Sequence, residues 1–240
     1  MAGFVIIKAM IKKILIVDNS THKKCDRCSQ FHRHFNPKTS VIHSADRALP
    51  KNVEAYSHII LTGSADSVNE LSRVYARLRP FILRVKKAGI PMLGICYGFQ
   101  AIAAALSDVE AIDHYQHAEI GWTKIYTTKQ STLFKGVPKS FYALENHTSS
   151  VRYLPEELIK TAESQRRYIQ AFEHQTKPIF GVQFHPEATS YRGLQMVSRG
   201  LKRRAPLSWF TGISKPASFN PEIPEKIIRN FYNSTKQKPS

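Results

Sequence analysis

The sequence has few cysteines and no long apolar run. Its three cysteines cannot form the even-numbered disulfide framework of a small secreted protein, which favours a reducing compartment. No segment approaches the roughly 18 to 20 apolar residues that span a bilayer. The first residues, MAGFVIIKAMIKK, lack the basic start and the small-residue cleavage site of a secretion signal. These absences predict a cytoplasmic protein with no membrane association.

Acidic residues are also scarce. The 240-residue chain has 18 Asp and Glu against 35 Lys and Arg, which gives a net charge of +17. Such a surplus is common in nucleic-acid-binding proteins. However, the basic residues do not alternate with aromatic ones as they do in RNA- and DNA-binding modules. A nucleic-acid partner is therefore not predicted, and an acidic protein partner or an anionic substrate is at least as compatible with the charge.

The first hundred residues have the pattern of an α/β protein. Short apolar runs such as KILIVD, SHIIL and IPMLGI alternate with segments of helical periodicity. The longest helical segment ends at Gly89, and the apolar side chains on its predicted buried face are Leu71, Val74, Leu78, Phe81, Ile82 and Val85. Fully apolar strands that alternate with helices form parallel sheets covered on both faces. We therefore predict a doubly wound, mostly parallel, flavodoxin-like sheet.

The later part of the chain has a different residue pattern. From about residue 120, short aromatic and β-branched runs separated by Gly, Pro and polar clusters predict added antiparallel strands. The last of them, PIFGVQFHPE, is predicted to return to the main sheet. We expect one domain over residues 10–198. A basic extension over residues 199–240, with nine Lys or Arg and two Glu, is expected to end in a helix packed on that domain and to contact a partner or a nucleotide.

The segment GICYGFQ, residues 94–100, follows a predicted buried strand. Cys96 falls where that strand gives way to a helix, and the positive end of a helix favours the thiolate that acts as nucleophile. A sharp strand-to-helix turn requires small neighbours, which Gly94 and Gly98 supply. The pattern G-x-C-x-G therefore predicts a nucleophile elbow with Cys96 at its tip.

The segment GVQFHPE, residues 181–187, supplies what such a nucleophile needs. A thiol requires a base within reach, and the base requires a third group that fixes its tautomer. His185 at the end of an apolar strand, followed by Glu187, provides both. An oxyanion intermediate further requires two backbone donors. The amides of Tyr97, directly after the nucleophile, and of Gly63, at the end of the neighbouring strand, are predicted to form that oxyanion hole.

Together these three segments closely resemble the class I (triad) glutamine amidotransferases. A glycine-containing loop, then G-x-C-x-G-x-Q, then F-H-P-E appear in the family's order over roughly residues 13–195. The resemblance implies that Cys96 attacks the side-chain amide of glutamine, that His185 acts as base and acid, and that Glu187 orients it. It also implies that Gln100, Thr148 and Ser149 bind the substrate glutamine, and that no metal or cofactor takes part.

The sequence departs from the family pattern at three places. The first loop has Gly63-Ser64-Ala65 where the family usually has G-G-P, which changes the rigidity of the loop. Ser149 stands where many members carry Asp, which alters the expected grip on the substrate's ammonium group. The double glycine that often follows the elbow helix is replaced by Ser107-Asp108. None of these changes touches the triad.

The resemblance also implies a partner. Tyr97 after the cysteine, and the stretch AEIGW at residues 118–122, resemble the GMP synthase type of amidotransferase. The chain contains no segment like an ATP-pyrophosphatase or another synthetase domain. We therefore expect the ammonia to pass to a synthetase on a separate polypeptide.

Two other functions are compatible with the residues. A hydrolase of γ-glutamyl amides with no ammonia acceptor would use the same triad. A zinc-binding or regulatory module is suggested by the segment HKKCDRCSQFHRH, whose zinc-type side chains are His22, Cys25, Cys28, His32 and His34. The compact spacing of these residues differs from that of the common zinc fingers, and a helix with this sequence would turn Cys25 and Cys28 toward the core.

Overall fold

A computed structural model describes residues 13–21, 28–35, 39–43 and 47–234 of the chain. Within them, the strands are β1 (Lys13–Asp18), β2 (Thr39–His43), β3 (Tyr56–Leu61), β4 (Met92–Ile95), β5 (Ile112–Thr127), β6 (Ser140–Val151), β7 (Leu158–Ser164), β8 (Ile169–His174), β9 (Ile179–Val182) and β10 (Phe210–Gly212). The helices are α1 (Cys28–Phe35), α2 (Arg73–Ala88), α3 (Tyr97–Leu106), α4 (Ser190–Lys202) and α5 (Glu222–Tyr232). None of these helices is long and apolar enough to cross a membrane.

The strands form one sheet with two halves of different construction. Strands β2, β1, β3, β4 and β9 lie side by side in that order and pair in parallel, and they are called the parallel half. Strands β8, β7, β5 and β6 continue the sheet with antiparallel pairing, and they are called the antiparallel half. The short β10 pairs in parallel with β5. The predicted doubly wound sheet, its antiparallel additions and the return of β9 to the main sheet are all confirmed.

Helices cover both faces of the parallel half. Alternate residues of a strand point to opposite faces, so Leu15 and Val17 of β1 join the core beneath α2 and α3. Ile14 and Ile16 join a second core that contains apolar residues of α1 and α5. Because both faces are buried, the apolar run of β1 shows no polar alternation, as is usual for fully covered parallel strands.

Helix α2 begins one turn later than its apolar pattern suggested. The Ser72 side chain accepts a hydrogen bond from the Tyr75 amide and caps the helix. Leu71 lies before this cap and is 92% exposed, so its predicted place on the buried face is wrong. Tyr75 is buried instead. At the other end, Gly89 adopts a left-handed conformation with φ of 62°, which glycine tolerates without strain.

The C-terminal part of the chain contains two further helices. Helix α4 runs from Ser190 to Lys202 and therefore crosses the predicted boundary between residues 198 and 199. Helix α5 buries Ile227, Ile228 and Phe231 in the same core as α1. The division into a domain and an extension stays a prediction.

Candidate active site

Cys96 lies at the junction of β4 and α3 in a strained conformation. Its φ of 53° and ψ of −104° are rarely adopted by a residue with a side chain. Such strain persists only where the surrounding structure enforces it, and it is common at functional sites. The Cys96 amide donates a 2.9 Å hydrogen bond to the carbonyl of Val182 in β9, which fixes the turn to the neighbouring strand.

Two glycines permit this turn. A Cβ atom added to Gly94 would lie 2.5 Å from the carbonyl carbon of Gly98, and a Cβ added to Gly98 would lie closer still to the carbonyl oxygen of Leu61. Both collisions are with backbone, which cannot move aside as a flexible side chain could. The glycines of the G-x-C-x-G pattern are therefore required by close backbone approach.

Strand β9 delivers the histidine and the glutamate. Gly94 of β4 pairs with Gly181 of β9 in parallel register, so the segments that carry Cys96 and His185 both follow the carboxyl ends of adjacent strands. The amide of His185 donates to the carbonyl of Leu144 at 2.9 Å, and its side chain is buried. His185 Nδ1 lies 2.9 Å from Glu187 Oε1.

This geometry has direct chemical consequences. A carboxylate that accepts a hydrogen bond from Nδ1 places the neutral imidazole in the tautomer whose Nε2 can take a proton. The carboxylate also stabilises the imidazolium that forms afterwards. Cys96 occupies the N-cap position of α3, where the helix dipole and the amides of the first turn favour a thiolate. These features agree with the predicted nucleophile and base, and the roles of Cys96 and His185 stay predictions.

The predicted oxyanion donors lie beside the cysteine. Tyr97 is the first residue of α3, a position whose amide has no acceptor within the helix. Gly63 follows β3, and both residues line the same cavity as Cys96. The loop before Gly63 is held by the end of β1, because the Asn19 amide donates to Thr62 Oγ1 and Asn19 Nδ2 donates to the Thr62 carbonyl, both at 2.9 Å.

The Tyr97 ring has a separate, structural environment. Its hydroxyl lies 3.3 Å from Ser72 Oγ, which in turn donates to Asp66 Oδ2 at 2.7 Å. Burial raises the pKa of the Tyr97 hydroxyl far above its ordinary value, so the phenol stays neutral. The side chain therefore ties α3 to the start of α2, while its backbone faces the cysteine.

The residues predicted to contact the substrate all line this cavity, and they are Gln100, Thr148 and Ser149. Gln100 is 3% exposed, and its Nε2 donates to the Ser149 carbonyl at 2.6 Å and to Gln183 Oε1 at 3.1 Å. The side-chain oxygen of Ser149 lies 2.8 Å from His114 Nδ1. The structure therefore uses Gln100 to hold the end of β6 against α3, and direct contact of these three residues with substrate stays a prediction.

The cavity has a volume of about 540 Å³. Sequence reasoning missed part of its lining. Asp18 at the end of β1 contributes, and its signal was its place at the carboxyl end of a parallel strand, where ligands bind in such sheets. The C-terminal wall is rich in arginine, and its arginines are Arg192, Arg199, Arg203 and Arg204. Only the general basicity of this segment could have indicated that wall.

Comparison with known proteins identifies the family. The family model of glutamine amidotransferase class-I matches residues 17–202. The chain belongs to this family. The amidotransferase is 42% identical over 100 residues to a glutamine-hydrolyzing GMP synthase subunit of Methanocaldococcus jannaschii, which covers 42% of this chain and 52% of the relative. It is 37% identical over 169 residues to the glutamine-hydrolyzing GMP synthase of Streptomyces avermitilis, which covers 68% of this chain and 30% of the relative.

A solved structure gives the same result for the fold. A glutamine amidotransferase from Thermotoga maritima superposes with a TM-score of 0.74 at 18% identity, over 92% of this chain and 96% of that one. The predicted family and the likeness to GMP synthases are confirmed. The matched region spans about half of the Methanocaldococcus relative and less than a third of the Streptomyces relative.

The zinc hypothesis for the segment HKKCDRCSQFHRH stays a prediction. His22 and Cys25 lie outside the described residues, as does the side chain of His32. Cys28 is buried in the core with apolar residues of α1 and α5. Within the residues that the structure describes, another group has metal-ligand character, formed by Glu119, Glu145 and His147.

Proposed function

We propose that this amidotransferase hydrolyses the side-chain amide of glutamine to glutamate and ammonia through a thioester on Cys96. One observation carries the proposal: the strained cysteine follows β4, and the His185–Glu187 pair follows the adjacent, parallel β9. In a parallel sheet, residues at the carboxyl ends of neighbouring strands face one crevice. This placement supports a single site for the nucleophile and its base.

The reaction proceeds in two balanced halves. In the first, the Cys96 sulfur adds to the amide carbon while its proton passes to His185, and the resulting oxyanion is held by the amides of Tyr97 and Gly63. His185 returns the proton to the nitrogen, the carbon–nitrogen bond breaks and ammonia leaves. In the second half, His185 removes a proton from water, which attacks the thioester. Glutamate leaves and the thiol is restored.

A glutamate-release assay tests this function. Purified protein is incubated with glutamine, and glutamate is measured for the wild type and for Cys96→Ala. We expect release that Cys96→Ala lowers by at least about a thousandfold, because nucleophile removal abolishes the covalent route. The matched control is Ser190→Ala, an equally small change at the first residue of α4. Equal rates for Cys96→Ala and wild type would refute the proposal.

We further propose that ammonia passes to a separate synthetase of the GMP synthase type. The two curated relatives carry GMP synthase names, and one of them is named as a subunit. The arginine-rich wall formed by α4 and the segment after it lines the cavity that contains Cys96. Arg199, Arg203 and Arg204 are exposed there, near Leu207, which is 80% exposed. A partner with an acidic face around an apolar contact would cover the cavity and receive ammonia directly.

This docking role of residues 199–240 has its own test. Addition of the purified GMP synthetase subunit from the same organism is expected to raise glutamate release, and the gain should fall as salt rises, since exposed charges are screened. Lys202→Glu, at an exposed position of the same segment that does not line the cavity, should reduce the gain without changing the basal rate. Lys51→Glu, an equal charge reversal at an exposed site outside the cavity, serves as control. Equal effects of the two variants would show that this segment does not bind the synthetase.

A γ-glutamyl hydrolase is the second candidate because of the size of the cavity. Its volume of about 540 Å³ falls in the range of roughly 300–1,000 Å³ found for sites of drug-sized ligands, whereas glutamine is much smaller. Comparing glutamine with larger γ-glutamyl amides as substrates separates the two functions. A cysteine nucleophile acts as a reduced thiolate, and we therefore propose the cytoplasm as the compartment for either reaction.

A further inference from the structure

Two glutamates and a histidine form a buried cluster between β5 and β6. Glu119 pairs with His147, and Gly121 pairs with Glu145, in the antiparallel ladder of the two strands. Directly opposed residues share a face of the sheet, and so do residues two positions apart on one strand. All three side chains therefore project from the same face into the same volume.

The side-chain atoms of this cluster converge with almost no access to solvent. His147 Nε2 lies 3.3 Å from Glu145 Oε2 and 3.5 Å from Glu119 Oε2, and the exposed fractions are 1% for the His147 side chain and 0% for both glutamates. Within the described part of the chain, neither oxygen of Glu145 and neither nitrogen of His147 has a hydrogen-bond partner. Glu119 Oε2 alone is supported, by a 2.6 Å hydrogen bond from Gln170 Nε2.

A buried arrangement of this kind needs positive charge. Removing two carboxylates from water costs several kcal/mol per ion unless they are paired. Among the ion pairs of the described residues, His147 is the partner of both Glu119 and Glu145. One imidazole supplies at most a single positive charge against two negative ones.

The distances match those of a metal site. In a tetrahedral site with bond lengths of about 2.0 to 2.2 Å, neighbouring ligand atoms are about 3.3 to 3.6 Å apart. The two distances from His147 Nε2 lie in this interval, and they are long for hydrogen bonds. The hydrogen bond from Gln170 to Glu119 is the type of outer contact that orients a metal ligand.

We propose that Glu119, Glu145 and His147 bind one divalent transition-metal ion such as Zn²⁺. His147 Nε2 and one oxygen from each glutamate supply three donors, which lie within 4.8 Å of one another. The ion neutralises the carboxylates and joins β5 to β6 directly before Thr148 and Ser149, which line the cavity. Its role is structural: His147 borders the cavity, and no step of the proposed amide hydrolysis passes through the ion.

Metal content and thermal stability test this site without any activity measurement. The full chain is purified without affinity tags, dialysed against a chelator, and titrated with Zn²⁺, Mn²⁺ and Mg²⁺ by calorimetry and thermal melting. One equivalent of Zn²⁺ should bind and raise the Tm, and Mg²⁺ should do neither. Glu145→Gln should weaken the affinity for Zn²⁺ by at least about tenfold. Glu156→Gln, the same change at an exposed glutamate, should leave it unchanged.

Several results would overturn the proposal. Wild-type protein that binds no Zn²⁺ or Mn²⁺ contradicts it whether or not any variant folds. One equivalent of Zn²⁺ that persists unchanged in both Glu145→Gln and His147→Gln assigns the metal to another part of the chain. A wild type without metal that becomes more stable with Glu145→Gln would show that Glu145 is held neutral and that the cluster shares a proton.

Discussion

The parallel and antiparallel halves of the sheet present their functional side chains in different ways. In the parallel half, Cys96 and His185 follow the ends of β4 and β9, and backbone contacts determine where they lie. In the antiparallel half, Glu119, Glu145 and His147 lie within long strands, and strand register brings them together. The positions of functional side chains at strand ends depend on sharp turns and close backbone approach. The positions of functional side chains within strands depend on which residues of paired strands lie opposite each other.

The largest expected effect belongs to the parallel half. Glu187→Gln keeps the shape of the side chain but removes the charge that orients His185. We expect kcat for glutamate release to fall about a thousandfold with little change in KM, because the imidazole loses the tautomer and the charge stabilisation that proton transfer requires. Steady-state kinetics at several pH values measures this. A loss of less than about threefold would remove Glu187 from the triad.

The next effect tests the close backbone approach at the elbow. Gly98→Ala places a methyl group against the Leu61 carbonyl, and we expect a loss of about 3 kcal/mol in the free energy of unfolding. Gly89→Ala is the control for a change without crowding, because nothing lies within 4 Å of the added carbon. Its φ of 62° gives it an expected cost of about 1 kcal/mol from backbone strain alone. Denaturant unfolding compares the two, and equal losses would show that crowding at the elbow is unimportant.

The smallest effect concerns ion pairs in the antiparallel half. Glu163 of β7 accepts hydrogen bonds from Lys160 at 2.8 Å and from Arg167 at 2.5 Å. The bond from Lys160 is the main reason that the pKa of Glu163 is lowered from its ordinary 4.5. A lowered pKa adds stability above about pH 4.5, and that stability is lost as the pH falls through the folded-state value.

The corresponding variant is Glu163→Gln. Because the Arg167 side chain is 85% exposed and the Lys160 side chain 40% exposed, solvent screens both ion pairs, and the cost at neutral pH should stay below about 1 kcal/mol. The difference in Tm between variant and wild type should shrink as the pH falls from about 7 through the region below 4.5. Thermal melts over this range measure it. A difference that grows toward low pH would contradict the assigned direction of the pKa.

The two halves also differ in how much the sequence predicts. The parallel half can be predicted from its fully apolar runs and from the glycines of the elbow. The apolar runs reflect burial on both faces of the sheet, and the glycines reflect close backbone approach. Local sequence patterns do not predict which residues pair in the antiparallel half. Strand β5 is irregular between His114 and Glu119, and Tyr115 has a φ of 66°. This irregularity sets the register that gathers Glu119, Glu145 and His147, and no local periodicity encodes it.

The rest of the site was only partly predictable. Gly121 has a φ of 106°, and a side chain there would collide with the carbonyl of Gly212 in β10, a strand too short to be predicted. The arginine-rich wall of the cavity depends on how α4 and the segment after it fold back over the strand ends. Leu71 was wrongly predicted to be buried, because the helical pattern of apolar residues extends beyond Ser72. The structure begins α2 after this serine and leaves Leu71 exposed.

Covalent labelling of the nucleophile tests the central claim most directly. The protein is treated with a glutamine analogue that carries an electrophilic carbon in place of the side-chain amide, and intact mass and peptide mapping locate the adduct. We predict one adduct, on Cys96, that excess glutamine prevents and that Gly98→Ala slows. An adduct on another residue, or labelling of Cys96 that glutamine does not prevent, would contradict the assignment of this elbow as the site of amide hydrolysis.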